Sequence, residues 1–299
     1  MIRLLALLLG LTAASGAAPP GSPRLEPLTR AIWSESMDRF GGFSAIEMLD
    51  DGKSFVAISD RGHWARGALE RDRKGEIERV RMTGFGPLLS VEGARLRGDD
   101  DDAEGVAVAP DGSVYVSFEG YHRIRRYPDL EGPAETVKGH KDFPRLQFNS
   151  SLEALAIDAD GAIYTIPERS GQLTRPFPVY RLKDGVWDKR LSIPREGPFL
   201  VVGADFGPDG RLYVLERDFT WMGGFSNRVR SFRLGPDGFI DEATLLQTPF
   251  GSADNFEGIS VWRDDAGGVR ATLIADDNFF ALQSTVIAEY LLVGGEVAD

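Results

Sequence analysis

Five stretches of the chain alternate apolar and polar residues, break at an Asp-Gly-type turn, and alternate again. They span residues 43–62, 103–120, 152–171, 202–219 and 256–278. In the second, Gly-Val-Ala-Val-Ala (105–109) leads into the turn and Val-Tyr-Val-Ser-Phe (114–118) leads out. Alternation of period two marks half-buried strands, and Asp-Gly between two such runs is a hairpin signal. The turn aspartates fall at positions 51, 111, 160, 209 and 264, at intervals of 60, 49, 49 and 55 residues. Each interval holds two further strands. His122 to Tyr127, Val179 to Leu182 and Arg228 to Leu234 have the patterning of third strands. A repeat of about 50 residues with four strands has the size of a propeller blade. The expected fold is therefore all-β, a single β-propeller of about five to six four-stranded blades, with room for a degenerate sixth in the long first interval. Leu28 to Ser34 and Thr285 to Leu292 are expected to share a closing blade, which removes exposed sheet edges.

The N-terminus breaks this pattern. Arg3, the apolar run Leu4 to Leu11 and the small residues Ser15-Gly16-Ala17 read as a signal peptide over 1–17. The run is too short to span a bilayer. Residues 18–34 are then an N-terminal segment of the closing blade and 35–295 the propeller domain, in a periplasmic or secreted protein with no transmembrane segment after cleavage. The absence of cysteine excludes a disulfide framework, a thiolate nucleophile and a cysteine–zinc site. A formal charge of −12 opposes nucleic-acid binding and is compatible with cation binding. No Gly-x-Ser-x-Gly nucleophile elbow occurs.

Hairpin geometry locates the chemistry. The residue entering the first strand and the residue leaving the second lie together, opposite the turn. Seven residues before each turn Asp stand Ser44, Glu104, Glu153, Val202 and Glu257; seven to nine after the first four stand Asp60, Glu119, Glu168 and Glu216. The fifth copy ends in Asp276 and Asp277. If the first strands line the channel, these acids ring one mouth. The small residues at 105, 154 and 258 permit close backbone approach. Crowded carboxylates need a cation or an arginine, and hard oxygen donors suit Ca²⁺. Glu104, Glu153 and Glu257 are the candidate metal ligands; pairing with Arg61, Arg169 and Arg217 is the alternative. Asp99 to Asp102 reads as a solvated loop, or else as a second rim cation site. Asp60 and His63 are candidates for activating water, and His122 holds the place equivalent to His63 in the next copy.

The motifs Asp-Ala-Glu-Gly-Val-Ala-Val with Tyr-Val-Ser-Phe-Glu (102–119), Leu-Glu-Ala-Leu-Ala (152–156), Leu-Glu-Arg-Asp-Phe (215–219) and Asn-Phe-Glu-Gly-Ile-Ser (255–260) resemble the phytase-like propeller family, described as having esterase-like activity of phytase. The resemblance runs from about 35 to 295. Asp101-Asp102-Ala103-Glu104 is similar to the acidic motif of Ca²⁺-dependent propeller phytases without its proline. The pattern is also similar to gluconolactonase-like propellers, where a Ca²⁺ at the channel mouth polarises an ester or lactone. The resemblance implies an exported, Ca²⁺-dependent hydrolase acting on a small-molecule ester or phosphoester. The alternative is a non-catalytic periplasmic ligand- or protein-binding propeller. A cation at the mouth favours the first, and arginine-paired acids favour the second.

Overall fold

The computed structural model describes residues 21–147, 152–280 and 283–295, so the expected signal peptide lies outside the described residues. The first strand, β1 (Arg24–Ile32), waits for its sheet until the chain returns. Four antiparallel sheets of four strands then follow in order. The first blade is β2 (Phe43–Leu49), β3 (Ser54–Ser59), β4 (His63–Arg71) and β5 (Ile77–Pro87). The second is β6 (Ala103–Val108), β7 (Val114–Phe118), β8 (Arg123–Tyr127) and β9 (Glu135–Thr136). The third is β10 (Ala154–Ile157), β11 (Ile163–Ile166), β12 (Phe177–Lys183) and β13 (Val186–Ile193). The fourth is β14 (Leu200–Phe206), β15 (Arg211–Thr220), β16 (Gly224–Leu234) and β17 (Phe239–Gln247). The fifth contains β18 (Phe256–Arg263), β19 (Val269–Ala275) and β20 (Val286–Val293), with β1 as its outer strand.

The turns form as their residues dictate. In the second blade Gly112 takes φ +83°, a left-handed conformation open to glycine, while the Asp111 carboxylate accepts the Ser113 amide at 3.0 Å. The described residues form five blades and no sixth. The first interval is long because β4 and β5 run to 9 and 11 residues and a connection over 88–102 carries no long strand. Closure is as the pattern predicts. β1 pairs with β20 from Arg24 opposite Val293 to Ile32 opposite Val286. Trp33 then locks the seam, stacked on Phe43 at 4.9 Å and edge-on to Phe55. Apolar clusters fill the space between neighbouring blades, such as Val56, Ile58, Val106 and Val116 between the first and second. Among the described residues no helix is long and apolar enough to cross a membrane.

The first strand of every blade is innermost. β2, β6, β10, β14 and β18 contact one another in ring order around the axis. The turns and the strand entrances therefore lie at opposite ends of the channel.

Candidate functional site

The entry positions are built by a repeated irregularity. The inner ladders slip by one residue between Phe43 and Ala45, Ala103 and Gly105, Val201 and Gly203, and Phe256 and Gly258. The skipped residues are Ser44, Glu104, Val202 and Glu257. A bulge of this kind re-aims its side chain away from the ladder. Glu153 stands just before β10, whose pairing begins at Ala154. All five residues line the axis together.

The small residues beside them serve inter-strand contact. A Cβ on Gly105 would lie 2.8 Å from the Glu153 carbonyl oxygen, and one on Gly258 would lie 2.8 Å from Ala45 Cα. Glycine thus lets neighbouring inner strands close on one another and draws the entry carboxyls together.

The exit positions form a second ring. Ala45, Gly105, Ala154, Gly203 and Gly258 pair with Ile58, Ser117, Ile166, Leu215 and Ile274. Two residues beyond these partners stand Asp60, Glu119, Glu168, Arg217 and Asp276. The fourth member differs from expectation. Glu216 points to the other side of its strand, where it is fully buried and bound by Arg228 at 2.7 Å and Arg230 at 2.5 Å. It belongs to the scaffold of the fourth blade. Arg217 takes the ring position and bonds Asn255 at 2.6 Å, pairs with Glu257, and lies over Phe225.

The two rings carry seven carboxyls and one guanidinium, and the seven acids divide unevenly. Around Arg217 the charge is answered: Glu257, Glu153 and Glu168 hold its guanidinium in the charged form against the cost of burial. On the other side Asp102, Glu104 and Glu119 bring carboxylate oxygens within 4.8 Å of one another. Burial pushes the Glu104 carboxyl well above its ordinary range, reinforced by Glu257, Asp102 and Glu119. Glu153 is pushed up in the same way, by burial and then by Glu104 and Glu119. Glu104 hydrogen-bonds Asp102, and Glu153 hydrogen-bonds Glu119. A bond between two carboxyls requires a proton on one of them, or a cation in its place. Three converging hard oxygen donors fit a hard cation such as Ca²⁺.

Asp60 faces the same mouth. Burial raises its carboxyl to about 7, with the Arg61 charge opposing and Asp102 and Glu257 adding to the rise. Asp276 is raised to about 8 by burial and Glu257. His63 occupies a different setting. Its ring is buried, stacked on Phe85 at 5.3 Å, with Nδ1 2.7 Å from the Arg61 carbonyl oxygen. Burial lowers its basicity. His122 donates to the Leu146 carbonyl and is lowered likewise by burial.

The aspartate run is wedged rather than loose. Cβ atoms added to Gly62 and Gly120 would strike Asp101 and Asp99 at 2.7 and 2.5 Å. This packing turns Asp102 into the mouth, while Asp100 pairs with Arg123 at the rim. Asp276 stands at the mouth, as spacing placed it, whereas Asp102 as a member of the donor set and Arg217 in the ring position expected of Glu216 were not legible from spacing alone.

The family model of phytase-like proteins, described as esterase-like activity of phytase, matches residues 38–279. The chain belongs to this family. No curated protein matches it. Among solved structures, a PQQ-bound aldose sugar dehydrogenase from Streptomyces coelicolor is 14% identical, with a TM-score of 0.53 over 92% of this chain and 100% of that one. A calcium-binding regucalcin from Agrobacterium tumefaciens is 13% identical, with a TM-score of 0.45 over 86% and 78%. A gluconolactonase from Xanthomonas campestris is 15% identical, with a TM-score of 0.43 over 81% and 70%. At 14% identity the likeness of this phytase-like chain to the dehydrogenase is one of fold.

Proposed function

We propose that this phytase-like propeller is an exported, metal-dependent hydrolase of small ester or phosphoester substrates, with Ca²⁺ at the acid-lined mouth. The observation that carries the reading is the donor set of Asp102, Glu104 and Glu119, whose oxygens converge at the mouth. Glu153, bonded to Glu119, and Glu257, adjoining through the channel, complete the acidic lining. Bound there, the cation supplies Lewis-acid stabilisation of charge developing on a carbonyl or phosphoryl oxygen.

The chain's own groups do the rest. Asp60, with a carboxyl near 7, takes the proton of an attacking water while the water oxygen bonds to the ester carbon. The same proton passes to the departing alcohol oxygen as the ester C–O bond breaks. His63, held between Phe85 and the Arg61 carbonyl, orders the loop that carries Asp60. Asp60 acts as a base when ionised, so hydrolysis rises with pH as its carboxyl loses its proton.

The test is a panel of chromogenic esters and phosphoesters assayed with Ca²⁺ and with chelator. We expect Ca²⁺-dependent turnover that falls at least a hundredfold in Asp60→Asn. Turnover indifferent to both chelator and Asp60→Asn would refute the assignment. One observation favours a second reading, a propeller that only binds its ligand: the Arg217–Glu257 pair already neutralises one side of the mouth. Saturable ligand binding with no turnover across the panel would select it.

A further inference from the structure

The exposed apolar surface of this protein is concentrated at one end. Of the twelve large apolar side chains exposed among the described residues, nine lie in strand ends and connections at the acid-lined end of the channel; Val186 and Ile240 lie at the other end, and Val91 lies on the connection packed against the β8–β9 loop. The densest part belongs to the fourth blade. β15 and β16 stay paired through Asp218–Ser226, Phe219–Phe225 and Thr220–Gly224, so the hairpin is a hydrogen-bonded arm out to its tip. It carries Phe219, Trp221 and Met222, exposed by 59%, 82% and 99%. Its tip is pinned, since Gly223 abuts Phe250 and the Gly251 amide donates to the Phe225 carbonyl. A rigid arm with uncovered Trp and Met side by side is costly to solubility and marks a contact surface.

The arm is continuous with the channel mouth. A cleft of about 450 Å³ runs between them, in the size range of small-molecule sites. Phe219 and Phe225, 4.9 Å apart, form its apolar wall. Arg217, Glu257, Asn255 and Asn278 supply polar groups on the side toward the channel. A molecule filling it would place an apolar group on the arm and a polar group among the acids.

We infer that the β15–β16 hairpin is the recognition arm for the apolar half of the substrate, which makes the substrate class esters of an extended alkyl or aromatic group. The inference rests on the hydrolase reading for what happens to the ester, but not for how the apolar half binds. Uncleavable amides therefore separate the two.

The probes are the 4-nitroanilides of acetic, butyric and hexanoic acid, with binding read by equilibrium dialysis and hydrolysis read in parallel on the matching 4-nitrophenyl esters. For the native protein we expect affinity to rise with chain length, by up to about fourfold per methylene. Phe219→Ser, which removes the exposed ring from the wall of the cleft, should flatten that dependence by at least tenfold at the hexanoyl member. Phe219 is exposed, so the melting temperature should be unchanged. Val186→Ser/Ile240→Ser, at the other end, should keep the full dependence. If the anilides follow this pattern while no ester is cleaved, the arm stands and the hydrolase reading falls. Unchanged chain-length dependence in Phe219→Ser would overturn the inference. So would binding of the native protein to phosphatidylcholine vesicles with no affinity for the anilides, because the arm would then be a membrane contact.

Discussion

Glu104 is the residue on which the proposed cation site turns most directly. It lies in the donor set, its carboxyl is pushed up by burial and three neighbouring acids, and it holds a hydrogen bond to Asp102. Glutamine keeps the size and the hydrogen bond and removes the charge that a hard cation requires. Glu104→Gln should weaken Ca²⁺ binding at least a hundredfold in a calorimetric titration, and in chelator at pH 8 it should melt no lower than the native protein. The second half follows because one of several mutually repelling charges is gone. A variant that bound Ca²⁺ as well as the native protein would remove Glu104 from the site.

At the scale of the hairpin, the two ends divide the work. Asp160 sits at a turn in the exposed pair with Lys183, far from the mouth. Asparagine also suits such turns, so Asp160→Asn should leave both the denaturation midpoint and Ca²⁺ binding intact. Gly258 is the contrast. A Cβ there would press on the Ala45 backbone at 2.8 Å, and the inner strands would have to separate. Gly258→Ala should cost about 1–3 kcal/mol in chemical denaturation and loosen Ca²⁺ binding by spreading the entry carboxyls; equal stability would show that the inner ring is not tightly packed.

The hairpins were legible in the sequence because Asp-Gly turns and period-two alternation are local properties. So was the convergence of Glu104, Glu153 and Glu257, since every copy has the same length from entrance to turn. Arg217 is legible as a partner for the mouth acids but not as a member of the ring, for a reason of register. The eight-residue step from Asp111 to Glu119 and from Asp160 to Glu168 leads from Asp209 to Arg217, whereas Glu216 falls one short and faces the opposite side. Asp102 was hidden in a run of four aspartates, and only the packing of that run on Gly62 and Gly120 distinguishes it.

For the whole molecule, the mouth acids make stability depend on pH and on cation together. Asp60 and Asp276 have folded values of about 7 and about 8, above the ordinary carboxyl range, and Glu104 and Glu153 are also raised. The folded state therefore keeps protons that the unfolded chain has released, and stability falls as pH rises from about 4 to about 8. Glu47 and Asp205, at the turn end of the channel, add to the fall, Asp205 being raised to about 7. A cation at the mouth replaces protons there and leaves the turn-end pair unaffected. At a hundredfold excess over Kd, a ligand bound only by the folded state adds about 2.7 kcal/mol.

Thermal melts from pH 5 to pH 8, in chelator and in millimolar Ca²⁺, bring these effects into one measurement. The acid-lined mouth as a cation site predicts a melting temperature in chelator that declines toward pH 8, and a Ca²⁺ stabilisation of several degrees at pH 8 that shrinks toward pH 5. Curves in chelator and in Ca²⁺ that superimpose at pH 8 would contradict it.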